Sequence, residues 1–217
     1  MSYSLIPLRM GLGVAAIAAI MTACSGQSIS QTMPTTMEHG SMHMDNHAMS
    51  MDLGPADANL DLRFIDAMIP HHEGAVIMAQ AAQQKAQHSE LKTLATAIIK
   101  AQNAEIDQMK QWRAKWYPNA SKTPMAWHAD MGHMMAMSAT QRQDMMMQQD
   151  LGAADAGFDL RFIKAMIPHH EGALIMAQEV LSKTQRPEIK KLAQDILSSQ
   201  QAEIQQMKTW QQAWSSK

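Results

Sequence analysis

The stretch Met68-Ile-Pro-His71-His72-Glu73-Gly74-Ala75 occurs a second time, letter for letter, as Met166-Ile-Pro-His169-His170-Glu171-Gly172-Ala173, 98 residues further on. From Asn59 to Gln80 against Gly157 to Gln178, 18 of 22 positions are identical, and the same register runs without a gap to Trp116 and Trp214. The chain therefore contains two copies of one supersecondary unit, residues 59–116 and 157–214, separated by a connector, residues 117–156. Chemistry assigned to one copy has to be considered for the other.

Within each copy the apolar period is helical. Phe64, Met68, His71, Ala75, Met78 and Ala82 recur at spacings of three and four, beside a second stripe of Ile65, Ile69, His72, Val76 and Ala79. This predicts a helix from an Asp61 cap to about Gln87, with a wide buried face. Pro70 removes an amide donor inside it and predicts a kink just before the histidine pair. Gly74 leaves room for a neighbour to approach closely. A second helix is predicted from Ser89 to Trp116, on the stripe Leu91, Ala95, Ile98, Gln102, Glu105, Met109, Trp112 and Trp116. Its counterpart carries Ile189, Ala193, Ile196, Gln200, Glu203, Met207, Trp210 and Trp214, with Pro187 suited to the first turn.

Two hairpins with one wide apolar face each bury those faces most simply against one another, so the predicted fold class is all-α, a four-helix bundle of residues 59–217. A turn near residue 87 places Met68, His71 and His72 level with Gln102, Glu105 and Met109. The second copy brings Met166, His169 and His170 level with Gln200, Glu203 and Met207. Gln and Glu on an apolar stripe are costly to bury without partners, so this level is the candidate site. Adjacent histidines point about 100° apart on a helix. One can therefore act as a ligand while the other is held by Glu105, or by Glu203 in the second copy.

Composition points to soft-metal chemistry. The 217 residues include 23 Met and 10 His but one Cys and 3 Phe, with 46% hydrophobic residues and a net charge of -2. Such a balance gives no reason to expect a nucleic-acid partner. Thioether sulfur is soft and imidazole borderline, which suits Cu(I) and, by the same softness, Ag(I).

Outside the repeats, Arg9 precedes an apolar run from Gly11 to Ile20, too short to span a bilayer and of signal-peptide length. Met21-Thr22-Ala23-Cys24 is similar to a bacterial lipobox, which implies a signal peptide over residues 1–24, lipidation of Cys24 and anchoring in the membrane. The same resemblance implies that Ser25, in place of Asp, would send the protein to the outer membrane if the host is Gram-negative. Export explains the missing thiols, since a soft-metal site outside the cytoplasm is better built from Met than from oxidisable Cys. Residues 25–58 show no helical or strand period and are expected to form a disordered arm. That arm carries His39, Met42, His43, Met44, His47, Met49 and Met51, a set expected to capture metal. The connector holds a second cluster, Met131, His133, Met134 and Met135, then a short polar helix near Thr140 to Gln149 bearing Met145, Met146 and Met147.

The pattern Phe64-Ile-x-Ala-Met-Ile-Pro-His-His-Glu-Gly-Ala-x-Ile-Met-Ala79, followed by Gln102-x-x-Glu-Ile-x-x-Met109 and present in both copies, resembles a bacterial family. It is the family catalogued as a domain of unknown function (number three hundred and five), whose copper-binding periplasmic members are called CopM-like. The resemblance covers residues 57–217. It implies a ferritin-like bundle that binds Cu(I) or Ag(I). The implied positions are Met68, His71, His72, Met78 and Met109, with Met166, His169, His170, Met176 and Met207.

The expected function is that of an exported, non-enzymatic Cu(I) and Ag(I) binder. It would sequester the ion in the periplasm or cell envelope, or hand it to a copper efflux or chaperone system, in copper resistance or homeostasis. Two other classes compete. A ferritin-like di-iron or di-manganese oxidase needs Glu-x-x-His on two helices, and no Glu stands three residues before a His in either bundle repeat. A structural or interaction lipoprotein would use neither the histidines nor the methionines. A zinc peptidase is disfavoured because His72-Glu73 and His170-Glu171 lack the second His four residues on.

Overall fold

The computed structural model describes residues 52–215. The proposed signal segment with Cys24, and the arm residues His39, Met42, His43, Met44, His47, Met49 and Met51, lie outside the described residues.

Four long helices carry the two repeats. Helix α1 spans Leu60–Lys85 and α2 Ser89–Trp116. After the connector, α4 spans Phe158–Lys183 and α5 Pro187–Ser215. Pro187 opens α5, where its missing N–H costs nothing. Pro70 and Pro168 both sit inside helices that run on past them. Each hairpin packs on itself, and α1 packs on α4 to join the repeats. The two central helices run antiparallel, because each ends where the other begins. The Lys85 ammonium donates to the carbonyl of Gly152, just before α4, at 2.8 Å, and Lys183 donates to the carbonyl of Gly54, just before α1, also at 2.8 Å. Among the described residues no helix is long and apolar enough to cross a membrane.

The apolar core is in two pieces, and the same interruption appears on every long helix. One cluster takes Leu60 to Met68 from α1, Met109 from α2, Ala173 to Val180 from α4 and Ile189 to Ile196 from α5. The other takes Ala75 to Ala82, Leu91 to Ile98, Phe158 to Ile167, and Ile204 with Met207. What separates them is Pro70 to Gly74 on α1, Pro168 to Gly172 on α4, Gln102 on α2 and Gln200 on α5. A buried polar layer thus cuts the bundle across its middle. The repeats build it with the same residues because the antiparallel contact puts the two copies of the motif at the same height.

Asp61 does not cap α1. The cap position is Asn59, which makes no side-chain cap, and Asp61 is already inside the first turn. Its carboxylate accepts instead from Thr184 Oγ1 at 2.6 Å and from Arg186 Nε at 3.0 Å, in the turn of the other hairpin. The Arg186 guanidinium lies over the Trp116 ring at 4.0 Å. The symmetry-related Asp159 accepts from His88 Nδ1 at 2.6 Å, and the His88 ring stacks on Trp214 at 3.8 Å. Each hairpin turn is therefore gripped by the other repeat.

The repeat also starts earlier than its helical period suggests. Residues 52–58, expected to belong to the arm, are packed: Leu53 is 1% exposed. The loop wraps the buried Arg63 guanidinium, which donates to the carbonyls of Leu53 and Pro55 and pairs with Asp57 at 2.9 Å. Arg161 does the same with Leu151, Ala153 and Asp155. Gly54 and Gly152 stand at φ 75 and 72, where glycine is free of the Cβ clash. The paired Asp-Leu-Gly-x-Ala-Asp-Ala at 52–58 and 150–156 carries the signal, so the repeat boundaries move from 59 and 157 to 52 and 150.

The connector contains an element that the residue pattern did not predict. Strand β1, Met125–His128, pairs antiparallel with β2, His133–Ala136. The hairpin is tied to α1 through Asp66, which accepts from the Met125 amide at 2.8 Å and forms a two-pronged pair with Arg113. Helix α3, Ala139–Met146, follows behind a Ser138 and Gln141 capping box and also packs on α1. Gly74 permits that contact: a Cβ there would stand 1.8 Å from the Met146 carbonyl oxygen.

Candidate metal centre

The polar layer contains four imidazoles, none more than 1% exposed. Their neighbours are the carboxamides of Gln102 and Gln200, each 3% exposed, and the carboxylates of Glu105 and Glu203 at the rim. Met68 and Met109 close the layer on one side and Met166 and Met207 on the other, all at 0% exposure.

Adjacent histidines divide the work as their helical angle requires. His72 Nε2 lies 2.7 Å from Glu105 Oε2, and His170 Nε2 lies 2.7 Å from Glu203 Oε2. A carboxylate oxygen accepts, so Nε2 is the donor, and in the neutral tautomer of such a ring Nδ1 keeps the lone pair. In both residues that Nδ1 is buried with no hydrogen-bond partner among the described residues. His71 and His169 turn the other way and meet across the repeats, with ring centroids 3.9 Å apart. His169 Nε2 donates to the Met146 carbonyl at 3.2 Å, leaving its Nδ1 unpartnered, and His71 has no partner at either nitrogen among the described residues.

His71 and His169 are held neutral. Burial, then the neighbouring His169, His72 and His170, keeps His71 well below the ordinary imidazole range. Burial, then His170 and His72, lowers His169 to about 3. An imidazole without its second proton offers a nitrogen lone pair to a metal. Gln102 and Gln200 add carboxamide oxygens that are unpartnered among the described residues to the same layer. Unsatisfied polar atoms at this density are costly in an apolar interior, and a bound cation relieves the cost.

Level matching thus brings together Met68, His71, His72, Glu105 and Met109, and Met166, His169, His170, Glu203 and Met207. Met78 and Met176 are buried, at 1% and 2%, but exchange partners: Met176 shares a cluster with Met68 and Met109, and Met78 with Met166 and Met207. Each methionine trio therefore draws on both repeats. The connector residues lie elsewhere. Met131 and Met135 are exposed at 52% and 36%, His133 is exposed with Nδ1 against the Met131 carbonyl, and Met134 lines an open surface pocket with Leu62 and Trp116. His128, which pairs across the strands with His133, was not among the candidates, and Met147, named only as one of a run in the connector, brings its sulfur to the polar layer. The run Met145-Met146-Met147 was the available signal for the latter. Among the described residues no three His, Cys, Asp or Glu side chains group to hold a metal ion, so a site here has to include thioether or carboxamide donors.

Similar proteins are known. Three solved structures of CopM, in Cu(II)-bound, Ag-bound (by soaking) and Cu(I)-bound forms, are 44%, 41% and 40% identical to this chain. Each similarity covers 71% of this chain and 96–97% of that one, with TM-scores of 0.56, 0.56 and 0.54. A curated relative, "Uncharacterized protein L153" of Acanthamoeba polyphaga mimivirus, is 45% identical over 49 residues, which is 23% of this chain and about a third of that protein's length. Residues 15–112 and 61–211 match the family described as "Domain of unknown function (DUF305)". With so much of its length matched and both copies of the histidine motif in place, the chain belongs to the DUF305 family.

Proposed function

We propose that the protein is an exported binder of Cu(I) and Ag(I) that sequesters the ion in the cell envelope, or passes it to an efflux or chaperone system, without catalysing a reaction. The observation that carries this reading is the layer of buried imidazoles with nitrogens unpartnered among the described residues, bounded by methionine sulfur on both sides. Soft thioether with borderline nitrogen selects monovalent copper and silver over zinc, iron or magnesium. Two carboxylates fix one imidazole in each repeat, the usual way a protein orients a histidine ligand. That CopM, at 40–44% identity, has structures with copper and silver bound supports the same assignment. Export, the lipid anchor at Cys24 and metal capture by the 25–51 segment belong to the same proposal.

Competition against a chromogenic Cu(I) chelator under anaerobic conditions, beside Zn(II) and Fe(II) titrations, tests it. Tight Cu(I) and Ag(I) binding with at least about a hundredfold weaker Zn(II) and Fe(II) binding is expected from the donor softness. Tight Fe(II) binding with oxygen consumption and weak Cu(I) binding would move the assignment to a di-metal oxidase.

A further inference from the structure

Helix α3 has no counterpart in the second repeat, and it reaches the polar layer from one side only. Its last carbonyl, that of Met146, receives the His169 proton and sits over Gly74. The next residue, Met147, adopts a left-handed backbone with φ 44, a conformation that ordinarily selects Gly or Asn at a helix end. A methionine kept there at a conformational cost calls for a use of its side chain. That side chain points back into the layer. Its sulfur lies 3.4 Å from the point where a Gly172 Cβ would stand, and His71 Nε2 lies 3.3 Å from the same point. The sulfur and the nitrogen thus border one small gap, which exists because residue 172 has no side chain. His71 is buried and unpartnered at both ring nitrogens among the described residues, so it has a lone pair to give and no protein group to receive it.

Resting on the soft-metal reading above, we infer that Met147 Sδ and His71 Nε2 form a separate Cu(I) or Ag(I) site in the gap over Gly172, at the seam between the repeats. One thioether and one imidazole make a low-coordinate pair suited to monovalent copper and silver. The site is asymmetric. At the equivalent position in the other repeat the Met146 backbone fills the space over Gly74. The bundle therefore holds its ions in unequal environments, and an ion at the seam would fasten the connector to the two central helices.

Silver titration of the full chain, labelled at methionine methyl carbons and histidine ring nitrogens, tests the site by NMR. The Met147 methyl resonance, identified by its loss in Met147→Leu, should shift in step with the His71 ring. In Met147→Leu the His71 response should disappear and native mass spectrometry should show one silver ion fewer, while His72 and His170 still respond. Gly172→Ala, which fills the gap but keeps the sulfur, should give the same two losses and serves if the first variant folds poorly. A stationary Met147 methyl in the wild-type titration, or a His71 response that survives Met147→Leu, would overturn the site. If His72 and His170 respond in either of those cases, only the seam site falls; if no histidine or methionine of the bundle responds, the soft-metal reading falls with it.

Discussion

Replacing His71 by Leu should raise the stability of the metal-free protein by about 1–3 kcal/mol, against the usual cost of a core substitution. The side chain is 1% exposed, neither ring nitrogen has a partner among the described residues, and leucine fills a similar volume. Folding takes this imidazole out of water and returns no hydrogen bond, so the substitution removes a penalty and no compensating contact. For a protein of this size the unfolding midpoint should rise by roughly 2–10 °C, read by calorimetry or circular dichroism with a chelator present. His72→Leu should stabilise less, because it also discards the bond to Glu105, although that carboxylate at 18% exposure can turn to solvent. A clear loss of stability in His71→Leu would mean that the imidazole is an integral, satisfied part of the core.

The opposite sign is expected at Arg63. Its side chain is 1% exposed, and its guanidinium holds two backbone carbonyls and the Asp57 carboxylate. Arg63→Ala should cost about 3–5 kcal/mol, since it strands buried acceptors and frees the loop that seats Leu53 in the core. Arg161 has the same partners in the second repeat but is 39% exposed, so water can replace part of what is lost. Arg161→Ala should cost about 1–2 kcal/mol. Urea unfolding of the two variants gives both numbers, and equal losses would contradict the role assigned to burial.

Much of this was legible from the residues because the chain repeats itself. Two copies of one apolar period imply two hairpins, and the turn position alone predicts that Glu105 lies level with the His71 and His72 pair, though not that His72 is the one it holds. The pairing of His71 with His169 was not legible, because it depends on where α1 and α4 cross, and no residue in either copy states that height. Arg63 was passed over because arginine is seldom buried, and its loop carries the Gly, Pro and Ala of an ordinary linker. The β1 and β2 hairpin escaped because its four-residue strands lack a clean alternation. Met147 belongs to a run that reads as composition until the fold brings one of the three sulfurs to a glycine 25 residues away.

The central claim, that the histidine layer is a metal site and not a core that happens to contain histidine, is tested most directly by the thermal shift that Cu(I) produces in His72→Leu with His170→Leu. A ligand stabilises a protein only through its preference for the folded state. Ions held by a segment that binds them equally in folded and unfolded chains leave the midpoint unchanged, so the shift reports the bundle. The account predicts a large upward shift in the wild-type protein and loss of most of it in the double variant, at a metal-free midpoint equal to or above that of wild type. An undiminished shift in the double variant would contradict it.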